Sequence, residues 1–231
     1  MKLFLDTASL AEIERLAPLG LVDGVTTNPA LLAREAGEPL DVLRAIASRV
    51  AGPVSAQVTH GDAKEMVAQG RGLAAIAPNV VVKLPADRAG LEAARALTAD
   101  GIACNVTLCF EPAQLVAFAR VPVAYVSLIL GRTEDFGLGD EERVAAAARL
   151  LAALGSPTEL LVASVRNPHH LRIAAMAGAH VATVPPSTWD LVLDHPLTGR
   201  GLEDFSRSWL ALPAPQRAAY DALGTSCPGA R

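Results

Sequence analysis

Cysteine is scarce in this 231-residue chain: Cys104, Cys109 and Cys227 form no CxxC pair and leave an odd one over. That excludes a disulfide framework and a zinc ribbon, and predicts a reducing, cytoplasmic compartment. A surplus of either charge is also missing, because 20 Lys and Arg face 24 Asp and Glu for a net charge of −4. There is thus no electrostatic ground for nucleic acid or an anionic membrane as a partner. The longest apolar stretch free of Asp, Glu, Lys and Arg, residues 173–189, holds His180 and the pair Pro185-Pro186, so no membrane span is expected. At the start of the chain an acid arrives at position 6, before any apolar h-region, so no secretory signal is expected. No P-loop, Gly-x-Ser-x-Gly or His-Glu-x-x-His occurs, and the adjacent His169 and His170 would point apart on a helix. Neither a metal site nor a cofactor is expected.

Against these absences stands a hydrophobic fraction of 51%, enough for a sizeable core and incompatible with disorder. One pattern repeats along the chain: a short β-branched run, a few polar or Gly/Pro residues, then an Ala/Leu/Arg-rich stretch. The runs cover residues 3–7, 24–28, 54–59, 80–85, 103–108, 125–130, 159–164 and 180–185. Helices are predicted over 9–19, 40–50, 63–77, 89–99, 112–120, 140–154 and 168–177, with another from Ser187. Eight alternations without a Gly-rich fingerprint after the first strand favour an α/β fold of the (β/α)8 TIM-barrel type over an open doubly wound sheet. Leu202, Phe205 and Trp209 at helical spacing predict an extra C-terminal helix over 201–212. The domain is expected to span 1–212, and the Ala/Pro/Gly-rich residues 213–231 to form a frayed tail.

In such a barrel, chemistry sits at the carboxyl ends of the strands. Lys83 is conspicuous there, since only three lysines occur among the 20 basic residues and the other two are Lys2 and Lys64. Alternation puts Val81 and Lys83 on one strand face, so an inward Val81 brings the amine inward. An ordinary lysine is neutral in only about one part in 2,500 at pH 7. Burial among valines raises that fraction and permits condensation with a ketone to a Schiff base. On this segment alone, a lysine whose stem packs while its head pairs with an acid is an equal alternative. Other strand ends add polar groups. Asp6 shares a face with Phe4, Thr26 and Asn28 end the second strand, and Gln57, Asn105 and Thr107 stand near the third and fifth strand ends. Arg132, Ser164 and Arg166 follow the sixth and seventh strands beside a helix predicted at Pro168, a suitable phosphate seat.

Leu3-Phe-Leu-Asp-Thr7, Gly24-Val-Thr-Thr-Asn-Pro29, Gly52-Pro-Val-Ser-Ala-Gln57, Val81-Val-Lys-Leu-Pro85, Asn105-Val-Thr-Leu108 and His195-Pro-Leu-Thr198 occur in order. As a set they resemble the small transaldolase family, which includes microbial transaldolases and fructose-6-phosphate aldolases. The resemblance covers about residues 1–210. It implies Lys83 as the Schiff-base lysine, Asp6 as the nearby acid, and Asn28 with Thr26 as substrate contacts. It also implies Asn105 and Thr107 around the carbinolamine and catalytic water, and Arg132, Ser164 and Arg166 as a phosphate clamp. The implied reaction cleaves a phosphorylated ketose between C3 and C4, and the lysine-bound dihydroxyacetone enamine is passed to an aldehyde or released. A homo-oligomer, commonly a decamer in this family, is implied as well.

Two departures from that pattern bear on proton transfer. Gln57 stands where most transaldolases carry glutamate, and Ile129 stands where the aldolases carry tyrosine. An amide is no base and an alkyl group donates no proton, which leaves Asp6, Thr107 and water. Leu128 in place of a family proline and Ala30 in place of a frequent serine are further changes.

Overall fold

The computed structural model describes residues 1–138 and 142–224. Its first half runs β1 (Lys2–Asp6), α1 (Leu10–Leu16), β2 (Gly24–Thr26), α2 (Pro29–Leu32), α3 (Pro39–Arg49), β3 (Val54–Gln57) and α4 (Ala63–Ala74). Next come β4 (Val80–Pro85), α5 (Arg88–Ala99), β5 (Cys104–Cys109), α6 (Pro112–Phe118), β6 (Tyr125–Ile129) and α7 (Gly131–Glu134). The series ends with α8 (Glu142–Ala153), β7 (Glu159–Ala163), α9 (Pro168–Met176), β8 (Val181–Val184), α10 (Pro186–Leu193), α11 (Pro196–Ala211) and α12 (Ala214–Asp221). The eight strands pair in parallel in chain order, and β8 returns to β1 to close a barrel. The fold is the expected (β/α)8 TIM barrel.

All eight β-branched runs are strands, and their near-continuous burial fits strands covered on both faces. Helix starts follow from local chemistry. The Asp62 and Asp87 carboxylates accept backbone N–H groups at the starts of α4 and α5. Asn28 and Asn167 each cap a helix whose first residue is proline, accepting from Leu31 N (3.0 Å) and His170 N (2.9 Å). The short helices α2 and α7 were not anticipated: four residues are too few to show a helical period. The expected start of α8 at position 140 lies outside the described residues.

Period-two alternation sets the barrel interior. Phe4, Val81, Tyr125, Leu161 and Val181 pack as one buried cluster, with Phe4 meeting the Tyr125 ring edge-on at 5.6 Å. Two residues further along the same strands stand Asp6, Lys83, Ser127, Ala163 and Thr183, all at the carboxyl-end cavity. An apolar plug therefore fills the amino end, and polar groups fill the other.

The chain divides into two compact units, Met1–Trp189 and Asp190–Arg231. In the second, α11 begins five residues before the expected helix, because the His195 ring accepts the Leu197 N–H and Pro196 occupies the first turn. Residues 214–221, expected to fray, instead form α12. Its Tyr220 ring lies 5.0 Å from that of Trp209, whose indole N–H donates to Asp221 Oδ1 (3.1 Å). Cys227 lies outside the described residues. Among the described residues, no helix is long and apolar enough to cross a membrane.

The apolar plug yields a stability prediction. Phe4 is fully buried, so Phe4→Ala should lower unfolding stability by about 3–5 kcal/mol in urea titrations. A loss below about 1 kcal/mol would mean that the plug does not carry the barrel.

Candidate active site

At the carboxyl ends of the strands lies a cavity of about 460 Å³, whose walls include Asp6, Thr26, Asn28, Gln57, Lys83, Thr107, Arg132 and Ser164. Eight of the ten expected site residues thus share one cavity. Asn105 sits beneath it, fully buried, donating to Ser55 Oγ (3.0 Å) and accepting from Ser127 Oγ (2.7 Å). Its register places it beside Lys83, but its amide is committed to holding β3, β5 and β6 together. Arg166, expected in the clamp, does not line the cavity; its guanidinium donates to Asp135 Oδ1 at 2.5 Å. That contact holds the Asp135 carboxyl below the usual carboxylate range.

Lys83 is 7% exposed, and its Nζ donates to the carbonyl of Thr27 (3.1 Å) rather than to a carboxylate. The salt-bridged alternative is thereby set aside. Burial pushes the Lys83 pKa below the ordinary lysine value; the Asp6 charge opposes this shift, and Arg132 reinforces it. Asp6 mirrors it, with burial pushing its carboxyl up while Lys83 and a hydrogen bond from Thr26 pull it back. The Thr26 hydroxyl donates to Asp6 Oδ1 (2.8 Å) and contacts Thr183 Oγ1 (2.6 Å). Since Thr26 has one proton to give, Thr183 is the donor in the second bond. Asp6 is not the cap of α1: the cap residue is Ser9, and the Asp6 carboxyl instead accepts from Thr26.

The Asn28 side-chain oxygen caps α2 while the residue also lines the cavity, so the turn and contact readings of the Asn-Pro pair coexist. On the far wall, α7 carries Arg132, which makes no ion pair among the described residues. The α7 segment is firmly tied. Gly131 N donates to Ser164 O (3.0 Å), and Arg143 bonds both Thr133 Oγ1 and Phe110 O. A Cβ on Gly131 would stand 2.4 Å from Ser164 O, so only glycine allows this approach. His170, fully buried, accepts the Arg166 N–H on Nδ1 and donates from Nε2 to Glu134 (2.8 Å), which fixes its tautomer.

Leu108 and Ser164 hold positive φ angles of 61° and 60°, both at the cavity wall. Such conformations cost about 1–3 kcal/mol each and gather at functional sites. Ser127, Ile129, Thr183 and Arg34 also line the cavity. Of these, only Ile129 was singled out from sequence. Ser127 and Thr183 follow from the same alternation that placed Lys83, two residues beyond Tyr125 and Val181. Burial drives the thiols of Cys104 and Cys109 up to about 12, leaving them inert. Among the described residues, no three His, Cys, Asp or Glu side chains gather as metal ligands.

A family model described as Transaldolase/Fructose-6-phosphate aldolase matches residues 3–219. A probable transaldolase of Caulobacter sp. (strain K31) is 46% identical over 209 residues, covering 90% of this chain and 96% of that protein. One from Rhodospirillum centenum is 47% identical over 210 residues, 90% of this chain and 91% of its own. Probable transaldolase 2 of Listeria monocytogenes is 47% identical over 212 residues, 91% and 97% of the two chains.

The charges around Lys83 give a sign that can be measured. Asp6 favours the ammonium and Arg132 disfavours it, so Asp6→Asn should lower the apparent pKa of the Lys83 amine and Arg132→Gln should raise it. Reductive methylation against pH, read by peptide mass spectrometry with Lys2 and Lys64 as internal references, checks both directions. Shifts of the same sign in both variants would contradict the electrostatic picture.

Proposed function

The chain belongs to the transaldolase/fructose-6-phosphate aldolase family, and from that premise we propose that it transfers a dihydroxyacetone unit between phosphorylated sugars through a Schiff base on Lys83. One observation carries the reading: a buried amine with a depressed pKa shares a cavity with a carboxyl whose pKa is raised. Family membership makes the protein an enzyme of the transaldolase/aldolase type. The lysine chemistry, the substrate and the fate of the three-carbon unit are our inference.

The steps follow from the groups present. The neutral Lys83 amine adds to C2 of the ketose, and the carbinolamine loses water to give an iminium ion. Asp6 as carboxylate takes the proton of the C4 hydroxyl; the C3–C4 bond breaks, its electrons neutralise the iminium as an enamine, and an aldehyde leaves. The enamine C3 then attacks the acceptor aldehyde, whose oxygen takes up the proton from Asp6. Water hydrolyses the new iminium and restores the free amine. Thr107 and Gln57, both at the cavity wall, suit the holding of that water, and Asn28 and Thr26 suit substrate hydroxyls. Arg132 and Ser164 suit the phosphate.

Ile129 favours transfer over release. Release of dihydroxyacetone needs a proton delivered to C3 of the enamine, and an alkyl side chain cannot supply one. Gln57, an amide as in the aldolases, is the observation that favours release as the second reading. Assembly of several copies fits the exposed apolar side chains of α11, Phe205 at 74% and Leu202 at 63% exposure.

Borohydride reduction with dihydroxyacetone or fructose 6-phosphate should leave a stable adduct on Lys83, absent in Lys83→Ala. An unmodified Lys83 peptide after reduction would sink the Schiff-base reading. Where the missing carboxylate limits proton transfer, Gln57→Glu should raise the transfer rate in a coupled assay; an unchanged or lower rate would count against the role given to the water.

A further inference from the structure

The wall at the ends of β6 and β7 carries the guanidinium groups of Arg132 and Arg166. Arg132 lines the cavity and Arg166 lies outside the lining, yet their roots are adjacent. A Cβ on Gly131, the residue before Arg132, would stand 2.9 Å from Arg166 Cδ, so the Arg166 stem runs along the backbone beside Arg132. Ser164, on the same loop as Arg166, lines the cavity. Only the end of the Arg166 side chain is turned away, and Asp135 holds it there by accepting from Nη1 (2.5 Å). The pair is open to solvent, with 44% of the Arg166 side chain and 50% of the Asp135 side chain exposed.

Two acids balance the cations of this wall. Glu134 is fixed by the buried His170 ring. Asp135 has no buried partner of that kind; the bond from Arg166 and the charges of Arg166 and Arg132 hold its carboxyl below the usual range. A carboxylate acted on by both arginines thus stands in the field that a phosphate monoester, with close to two negative charges at neutral pH, would enter. A solvent-exposed ion pair is weakly held, and a dianion offers a guanidinium a bidentate partner of higher charge.

We propose that Asp135 is a built-in counter-anion of Arg166, and that the substrate's phosphate displaces it and draws Arg166 in beside Arg132 and Ser164. This rests on the reading of a phosphorylated substrate but not on the covalent step. It gives Asp135 a part in exchange. During transfer one phosphorylated aldehyde leaves and another enters while the enamine waits, and too firm a grip on phosphate would retain the first. A carboxylate that recaptures Arg166 loosens that grip.

The test is calorimetric titration of the full chain with fructose 6-phosphate and with fructose, in a Lys83→Met background that removes the chemistry. Asp135→Asn should tighten binding of fructose 6-phosphate by about threefold and leave that of fructose unchanged. Arg166→Gln should weaken binding of fructose 6-phosphate, and Asp135→Asn added to it should bring no gain. Weaker or unaltered binding in Asp135→Asn, or a gain that persists without Arg166, would overturn the proposal. A background that binds fructose 6-phosphate no more tightly than fructose would sink the phosphorylated-substrate reading together with it. With Lys83 restored, Asp135→Asn should lower the KM for a phosphorylated substrate without raising kcat; a raised KM would count as a refutation. Absence of a borohydride adduct with these affinities intact would sink only the Schiff-base reading.

Discussion

Taking the ε-amine of Lys83 out of water is the constraint around which the barrel mouth is organised. A protonated amine in that position costs free energy, and among the described residues no carboxylate pairs with it, although the Asp6 charge opposes the shift. The structure supplies a backbone carbonyl, Thr27 O, and a carboxyl on the same cavity, Asp6, that is itself pushed toward neutrality by burial. The two pKa values shift toward each other, which narrows the gap between an acid and a base that share one cavity. Thr26 and Thr183 hold the carboxyl by a chain of hydroxyl bonds anchored in β2 and β8. Positions that would be packed with aliphatic side chains in a purely structural barrel are polar here.

The rest of the scaffold makes that arrangement affordable. The apolar plug of Phe4, Val81, Tyr125, Leu161 and Val181 closes the amino end. Above it, Asn105 ties Ser55 to Ser127 across three strands and forms a satisfied polar floor. The wall at the ends of β6 and β7 is held for a different reason. Gly131 permits a backbone approach to Ser164, and His170, Glu134 and Arg143 pin the surrounding turns. The strained backbone at Leu108 and Ser164 is sustained by these neighbours.

The eight strands were legible because buried parallel strands read as β-branched runs, and the position of Lys83 was legible because alternation has a fixed period. The same rule, carried two residues past Tyr125 and Val181, reaches Ser127 and Thr183. Other features have no one-dimensional signal. Asn105 and Thr107 have the same alternation parity, yet one is used in the floor and the other faces the cavity, a matter of depth rather than of face. Arg166 and Asp135 are 31 positions apart, and only folding brings them together. Arg34 lies in a stretch without periodicity, beyond a helix of four residues, where sequence alone reads an ordinary solvated arginine. Residues 214–221 read as a tail from their Pro and Ala content, although proline in a first helical turn is compatible with a helix.

The lowered pKa of the Lys83 amine is accessible to direct observation, because the chain has only two other lysines, Lys2 and Lys64. Nitrogen-15 labelling of the lysine side chains gives three Nζ resonances that can be followed against pH in the unliganded protein and assigned by substitution. The Lys83 resonance should lose its proton at a lower pH than either of the others. Three coincident titrations in the ordinary lysine range would contradict the lowered pKa of the buried amine, and with it the chemistry proposed for the cavity.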